Sequence, residues 1–137
     1  MRNYLPEIAI HDGSNDTVDG LTVNVKDFSE KLLTIATAGV ASADTLTFKV
    51  KGSNQDAIDF SAAKSITNRW DYIAIVDKNS GSTIAGDTGV TIADANDVLQ
   101  YAINDDGIRF VTVEITAMND KVNNTFYAYL AVSNENL

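Results

Sequence analysis

The chain has 137 residues, nineteen acidic against ten basic side chains, a net charge near −9, a single histidine and no cysteine. This length supplies one domain around one core, and the missing cysteine excludes disulfides and thiolate chemistry. A nucleic-acid surface needs clustered Lys and Arg, and the basic residues here are scattered singly.

Residues 1–20 read as an N-terminal arm and 21–137 as one domain. The first twenty residues lack a basic-then-apolar leader, and no apolar run reaches bilayer-spanning length, so cytoplasmic synthesis without a membrane partner is the expectation. Leu5, Ile8 and Ile10 are three spaced apolar anchors, suited to packing on the same domain or on a neighbour. Residues 12–20 are acidic and rich in turn formers.

The spacing predicts a first strand over 21–25, with Leu21, Val23 and Val25 inward. A second runs over 31–37, where the Leu32–Leu33 pair blurs the alternation and points to a bulge. After a loop at 38–44, residues 45–51 form the cleanest strand. Leu46, Phe48 and Val50 point inward, and Thr47, Lys49 and Lys51 face water. Residues 52–56 turn, 57–60 make a short edge strand, and 61–68 close with one helical turn.

Residues 70–76 resume the strand pattern with both faces apolar, as in a central strand or one with an interface on one side. A loop or loose hairpin fills 77–89, and 90–92 form a short strand. Residues 94–101 have helical character but equally carry a strand at 98–102. Residues 104–107 are a turn suited to a hairpin. The segment 108–118 puts Val111, Val113, Ile115 and Ala117 on the core side. After a turn at 119–124, residues 125–133 close the fold with Phe126, Ala128, Leu130 and Val132 inward. Seven to nine short strands separated by polar turns predict an all-β protein. Its best form is a two-sheet antiparallel sandwich of Greek-key or jelly-roll type, with a small antiparallel barrel as the alternative.

Chemistry is sparse. His11 is the lone histidine and reads as solvated or locally hydrogen-bonded. A serine nucleophile needs an activating base, and no Gly-x-Ser-x-Gly, phosphate-cradling loop or His-Glu-x-x-His occurs. Glycoside hydrolysis needs two carboxyl groups across a cleft. The candidates Asp71, Asp77, Glu114 and Asp120 lie on strands or strand ends, and alternation turns Asp71 and Glu114 to solvent. No catalytic residue and no cofactor are assigned. Calcium is held by loop oxygens, which Asp12, Asp16, Asp105 and Asp106 offer, yet these are also ordinary turn residues.

The aromatic residues are the remaining candidates. Tyr127 and Tyr129 stand opposite Phe126 and Leu130, and Phe110 and Met118 opposite Val111, Val113 and Ile115. If these two strands are neighbours, the four side chains share one outward face. That face would be a subunit contact, a stacking platform for sugars, or packing beneath a loop of the same chain.

Three segments, TLTFKVKGSN at 45–54, GIRFVTVEI at 107–115 and YAYLAVS at 127–133, resemble elements of the small all-β virion proteins of tailed bacteriophages. These are the capsid decoration, head-fibre base and auxiliary shell proteins. The resemblance implies a non-enzymatic protein that forms dimers or trimers, or clasps the major capsid protein, with the arm at 1–20 as a lattice contact. It implies assembly in the host cytoplasm and residence in the virion, and assigns no functional residue. A carbohydrate-binding module or adhesin-like domain is the rival, and a carboxylate-dependent hydrolase the weakest of the three.

Overall fold

The computed structural model describes residues 3–39, 44–93, 97–104 and 107–134. Among them are twelve strands and no helix. The main strands are β2 (Ile8–Ser14), β4 (Glu30–Ala38), β5 (Thr45–Ser53), β10 (Val98–Ala102), β11 (Phe110–Met118) and β12 (Thr125–Asn134). Shorter ones are β1 (Asn3–Tyr4), β3 (Val23–Asn24), β6 (Asp71–Tyr72), β7 (Ile75–Asp77), β8 (Thr83–Ile84) and β9 (Val90–Ala93).

A seven-stranded sheet runs β1-β12-β4-β10-β7-β8, with β2 joining β1 along the same side of β12. A five-stranded sheet runs β3-β11-β5-β6, with β9 beside β6 along β5. Every pairing between these strands is antiparallel. From β2 to β5, and again from β9 to β12, the chain changes sheet at each step. The early strands β2 and β3 thereby lie beside the late strands β12 and β11. This is the winding of a jelly roll, and the two sheets pack face to face without closing into a barrel.

Alternation builds the core. Phe126, Ala128, Leu130 and Val132 of β12 and Val111, Val113 and Ile115 of β11 are all buried, as are Leu46, Phe48 and Val50 of β5. Phe48 links the layers, with its ring 5.7 Å from Tyr101 of the opposite sheet and 5.6 Å from Phe126. Burial, reinforced by the charges of Asp77 and Asp97, pushes the Tyr101 hydroxyl up to about 12.

Several local expectations are corrected. Of the two readings of the first twenty residues, packing on the same domain is what the fold shows: residues 3–4 and 8–14 are β1 and β2, paired with β12, and Ile10 is a core residue. A register shift in the β2–β12 ladder turns both Ile10 and His11 inward. Leu21 is exposed, and the strand itself is only Val23–Asn24, although the Leu21 backbone bonds Ile10 and Thr112. The β4 strand has no bulge: Leu33 and Ile35 face the core, and Leu32 lies outward in an unbroken register with β12.

The segment 70–76 is not one strand. It divides into β6 in one sheet and β7 in the other, and the crossing between layers explains its two apolar faces. Residues 57–60 form no strand, and 61–68 hold a tight turn closed by a Ser65–Asn68 bridge. Residues 98–102 are strand β10, as one of the two readings held.

Candidate functional site

The two sheets differ in what lies over their outer faces. Across the seven-stranded sheet, side chains line up in rungs set by register. One rung is Asp12–Tyr127–Ala36–Val98, the next Ala9–Tyr129–Thr34–Gln100, the third Ala131–Leu32–Ala102. No residue of these rungs is buried, and Val98 is 67% exposed. Most side chains between the tyrosines and Val98 are small, so this face is smooth and largely uncharged.

Tyr127 and Tyr129 stack on one another, with centroids 6.3 Å apart and planes 16° from parallel. Residues two apart on a strand point the same way at about 6.8 Å spacing, which brings the rings together. The Tyr129 hydroxyl is held above its ordinary range first by desolvation, then by the charges of Asp12, Tyr127 and Glu7 and a hydrogen bond to Asp12. At the opposite margin, Asp77, Lys78 and Asp97 border a depression beside Val98 and Gln100.

The outer face of the five-stranded sheet is roofed at its Lys51–Thr112 end, where both residues are buried. Residues between β5 and β6 fold over it, placing Phe60 and Trp70 above Lys51. The Lys51 ammonium is almost fully buried. It donates to the Phe60 carbonyl at 2.8 Å, pairs with Asp19 at 2.9 Å, reaches Glu114 at 3.7 Å and lies 4.3 Å from the Trp70 ring centre. Tyr72 donates to Glu114 at 2.6 Å. Burial, then that hydrogen bond and the nearby carboxylates, hold the Tyr72 hydroxyl far above its ordinary range. Lys51 was expected in water, and its role as the centre of a buried charge cluster is a correction. Strand alternation predicts which face a residue occupies and says nothing of a loop that later covers that face.

The aromatic group expected from Phe110, Met118, Tyr127 and Tyr129 does not form, because β11 and β12 lie in different sheets. Phe110 stands half-buried on the five-stranded sheet. Met118 belongs to the core and Ala117 is exposed, because a bulge between Ile115 and Ala117 reverses the alternation beyond it. Leu5 is 43% exposed, and Ile8 packs against the core from the sheet margin.

Of the two readings of His11, solvated or locally hydrogen-bonded, the second holds. The residue is 2% exposed, and its Nδ1 lies 2.7 Å from the Ser14 hydroxyl. Each carboxylate weighed for acid–base work has a partner in the fold. Asp71 pairs with Lys64 at 2.8 Å, Asp77 accepts from the Asn79 amide, and Asp120 accepts from the amides of Val122 and Asn123. Of the calcium candidates, Asp16 pairs with Lys121 at 2.6 Å and Asp12 accepts from Tyr129, while Asp105 and Asp106 lie outside the described residues. Among the described residues, no three His, Asp or Glu side chains converge as a metal site would require.

A shallow groove of about 360 Å³ lies beside Trp70, lined by Asn54, Arg69 and Asp71 over a floor of Ile73 and Ile108. Sequence reasoning passed over it, since residues 70–76 read as one strand and the groove forms only where they meet Asn54 and Ile108 from distant segments.

No family model matches the chain, and no curated protein matches its sequence. Among solved structures, it is similar to the SPBc2 prophage-derived protein YomS, with a TM-score of 0.59 and 13% identity. The alignment covers 98% of this chain and 96% of that one. At this identity the likeness shows a common fold, extending from end to end of both chains.

Proposed function

We propose that this chain is a non-enzymatic structural protein of a bacteriophage particle, which decorates or stabilises the shell through oligomeric or lattice contacts. The observation that carries the reading is the full-length fold likeness to a prophage-derived protein. The smooth face bearing Tyr127 and Tyr129 supports it, as does the structural employment of the carboxylates weighed for catalysis. A decorating protein works by mass action, binding the assembled lattice better than its free subunits. Each contact is weak, and repetition supplies the strength.

The test is the composition of gradient-purified particles. The chain is expected at a fixed ratio to the main shell protein, and particles lacking it are expected to lose their contents at lower temperature. Particles that never contain the chain overturn the reading.

Saccharide binding is the second reading, favoured by the groove where Trp70, Arg69, Asp71 and Asn54 meet. A ring of hydroxyls over an apolar face suits that mixture of aromatic, charged and amide groups. Trp70 is the sole tryptophan, so its fluorescence, followed against a panel of methyl glycosides, reports directly on this groove. An unchanged spectrum across the panel rules the second reading out.

A further inference from the structure

The bare face of the seven-stranded sheet identifies a partner class, an inference that rests on the virion reading. Three rungs across four strands span about 400 Å², from ~3.4 Å of rise per residue and ~4.8 Å between strands. A stable pairwise interface buries about 800 Å² on each partner. A contact of half that size holds firmly only when many copies engage one lattice at once.

The charges around the face select the occupant. Its centre holds the stacked tyrosines beside Thr34 and Ala36. Glu7 and Asp12 lie at one margin, and Asp77 and Asp97 at the other with Lys78 between them. Two copies meeting face to face would bring these carboxylate margins together, which disfavours pairing. On the five-stranded side most of the positive charge is already engaged: Lys51 is matched by Asp19 and Glu114, Lys64 by Asp71 and Arg109 by Asp56, and Lys49 lies over the Tyr72 ring.

We propose that the Tyr127–Tyr129 face docks on a different virion protein, at a site whose apolar centre is ringed by Lys or Arg. Aromatic side chains at the middle of such a contact supply most of the affinity. The charged margin supplies orientation and rate.

The experiment is co-sedimentation of the purified chain with phage shells assembled without it. Saturable binding is expected to weaken about tenfold from low to physiological salt, because the margin is exposed to screening. The double variant Tyr127→Ala/Tyr129→Ala is expected to bind at least about tenfold more weakly, as is Glu7→Lys/Asp97→Lys. Ile66→Ser, on the roofed side, is expected to bind like the parent, and circular dichroism confirms that each variant is folded. If the parent binds and the tyrosine and charge variants bind equally well, this face is the wrong one while the virion reading stands. If the parent binds no shell, both fall. A dimer seen by light scattering in the parent and lost in the tyrosine variant overturns the basic partner in favour of a second copy.

Discussion

The imidazole Nε2 of His11 lies 2.7 Å from the carbonyl oxygen of Val113, a residue 102 positions later in the chain. A carbonyl only accepts, so Nε2 carries the proton and Nδ1 accepts from the Ser14 hydroxyl at 2.7 Å. The ring also meets Phe126 edge-on, with centroids 5.2 Å apart. One side chain of β2 thus reaches through the core to the middle of the other sheet. The Val113 carbonyl takes the Gly20 amide as well, at 2.9 Å, and so uses both of its lone pairs.

This arrangement fixes a pH response. Burial, the largest influence, holds His11 below its ordinary value of 6.5, outweighing the Val113 hydrogen bond and the charge of Asp19, which raise it. The unfolded chain therefore binds the proton more readily than the folded one. The stability from neutral His11 is complete above 6.5 and is lost as pH falls from 6.5 toward the folded value. Urea unfolding between pH 8 and 5 is expected to show this fall in the parent, and His11→Gln is expected to flatten that part of the curve. An equal slope in both proteins would contradict it.

Gly20 is where this contact limits the sequence. A Cβ there would lie 2.5 Å from Ile10 Cγ2, 2.6 Å from the Ile10 carbonyl and 2.7 Å from His11 Nε2. Backbone cannot withdraw as a flexible side chain can, so Gly20→Ala is expected to cost about 1–3 kcal/mol as an overpacking change. Gly81→Ala meets nothing within 4 Å, though its φ of +76° disfavours any side chain. Its cost is expected near 1 kcal/mol, and thermal melts of the two variants give the comparison.

Lys51 is expected to be the most sensitive charged position. Removing a buried ammonium leaves Asp19 and Glu114 without their shared cation, and breaking such a pair costs about 3–5 kcal/mol. Lys51→Met is expected to lose stability on that scale in denaturant titrations. Combining it with Asp19→Asn and Glu114→Gln is expected to restore much of the loss, since no uncompensated charge then remains. Fluorescence follows the same event, because the ammonium sits 4.3 Å from the ring of the sole tryptophan.

Adjacent residues of β12 are expected to respond in opposite ways. Leu130 is fully buried, and Leu130→Ala is expected to cost about 2–5 kcal/mol through lost burial and a cavity. Tyr129 faces outward, and Tyr129→Ala is expected to change stability by under about 1 kcal/mol, the scale of its cross-strand contacts. Unfolding free energies that reverse this order would show that the outward face is part of the core.

Much of the architecture was legible in the chain, because a period of two turns alternate side chains to opposite faces wherever a strand is paired. That periodicity correctly placed the inward residues of β5 and β12 and the tyrosines opposite them. The same rule failed where something non-local intervened. A bulge after Ile115 exchanged Ala117 for Met118, and a crossing between sheets divided the segment 70–76. A roof over the five-stranded sheet turned Lys51 from a solvated residue into a buried one. Strand order was equally hidden, since nothing in the sequences of β11 and β12 says whether they lie side by side or face to face. Lying in different sheets, they place Phe110 and the Tyr127–Tyr129 pair on opposite outer faces. Periodicity is a local property of the backbone and was determined by the sequence alone. Which sheet a strand joins, and what covers its outer face, depend on contacts between distant segments, and those the tertiary structure decided.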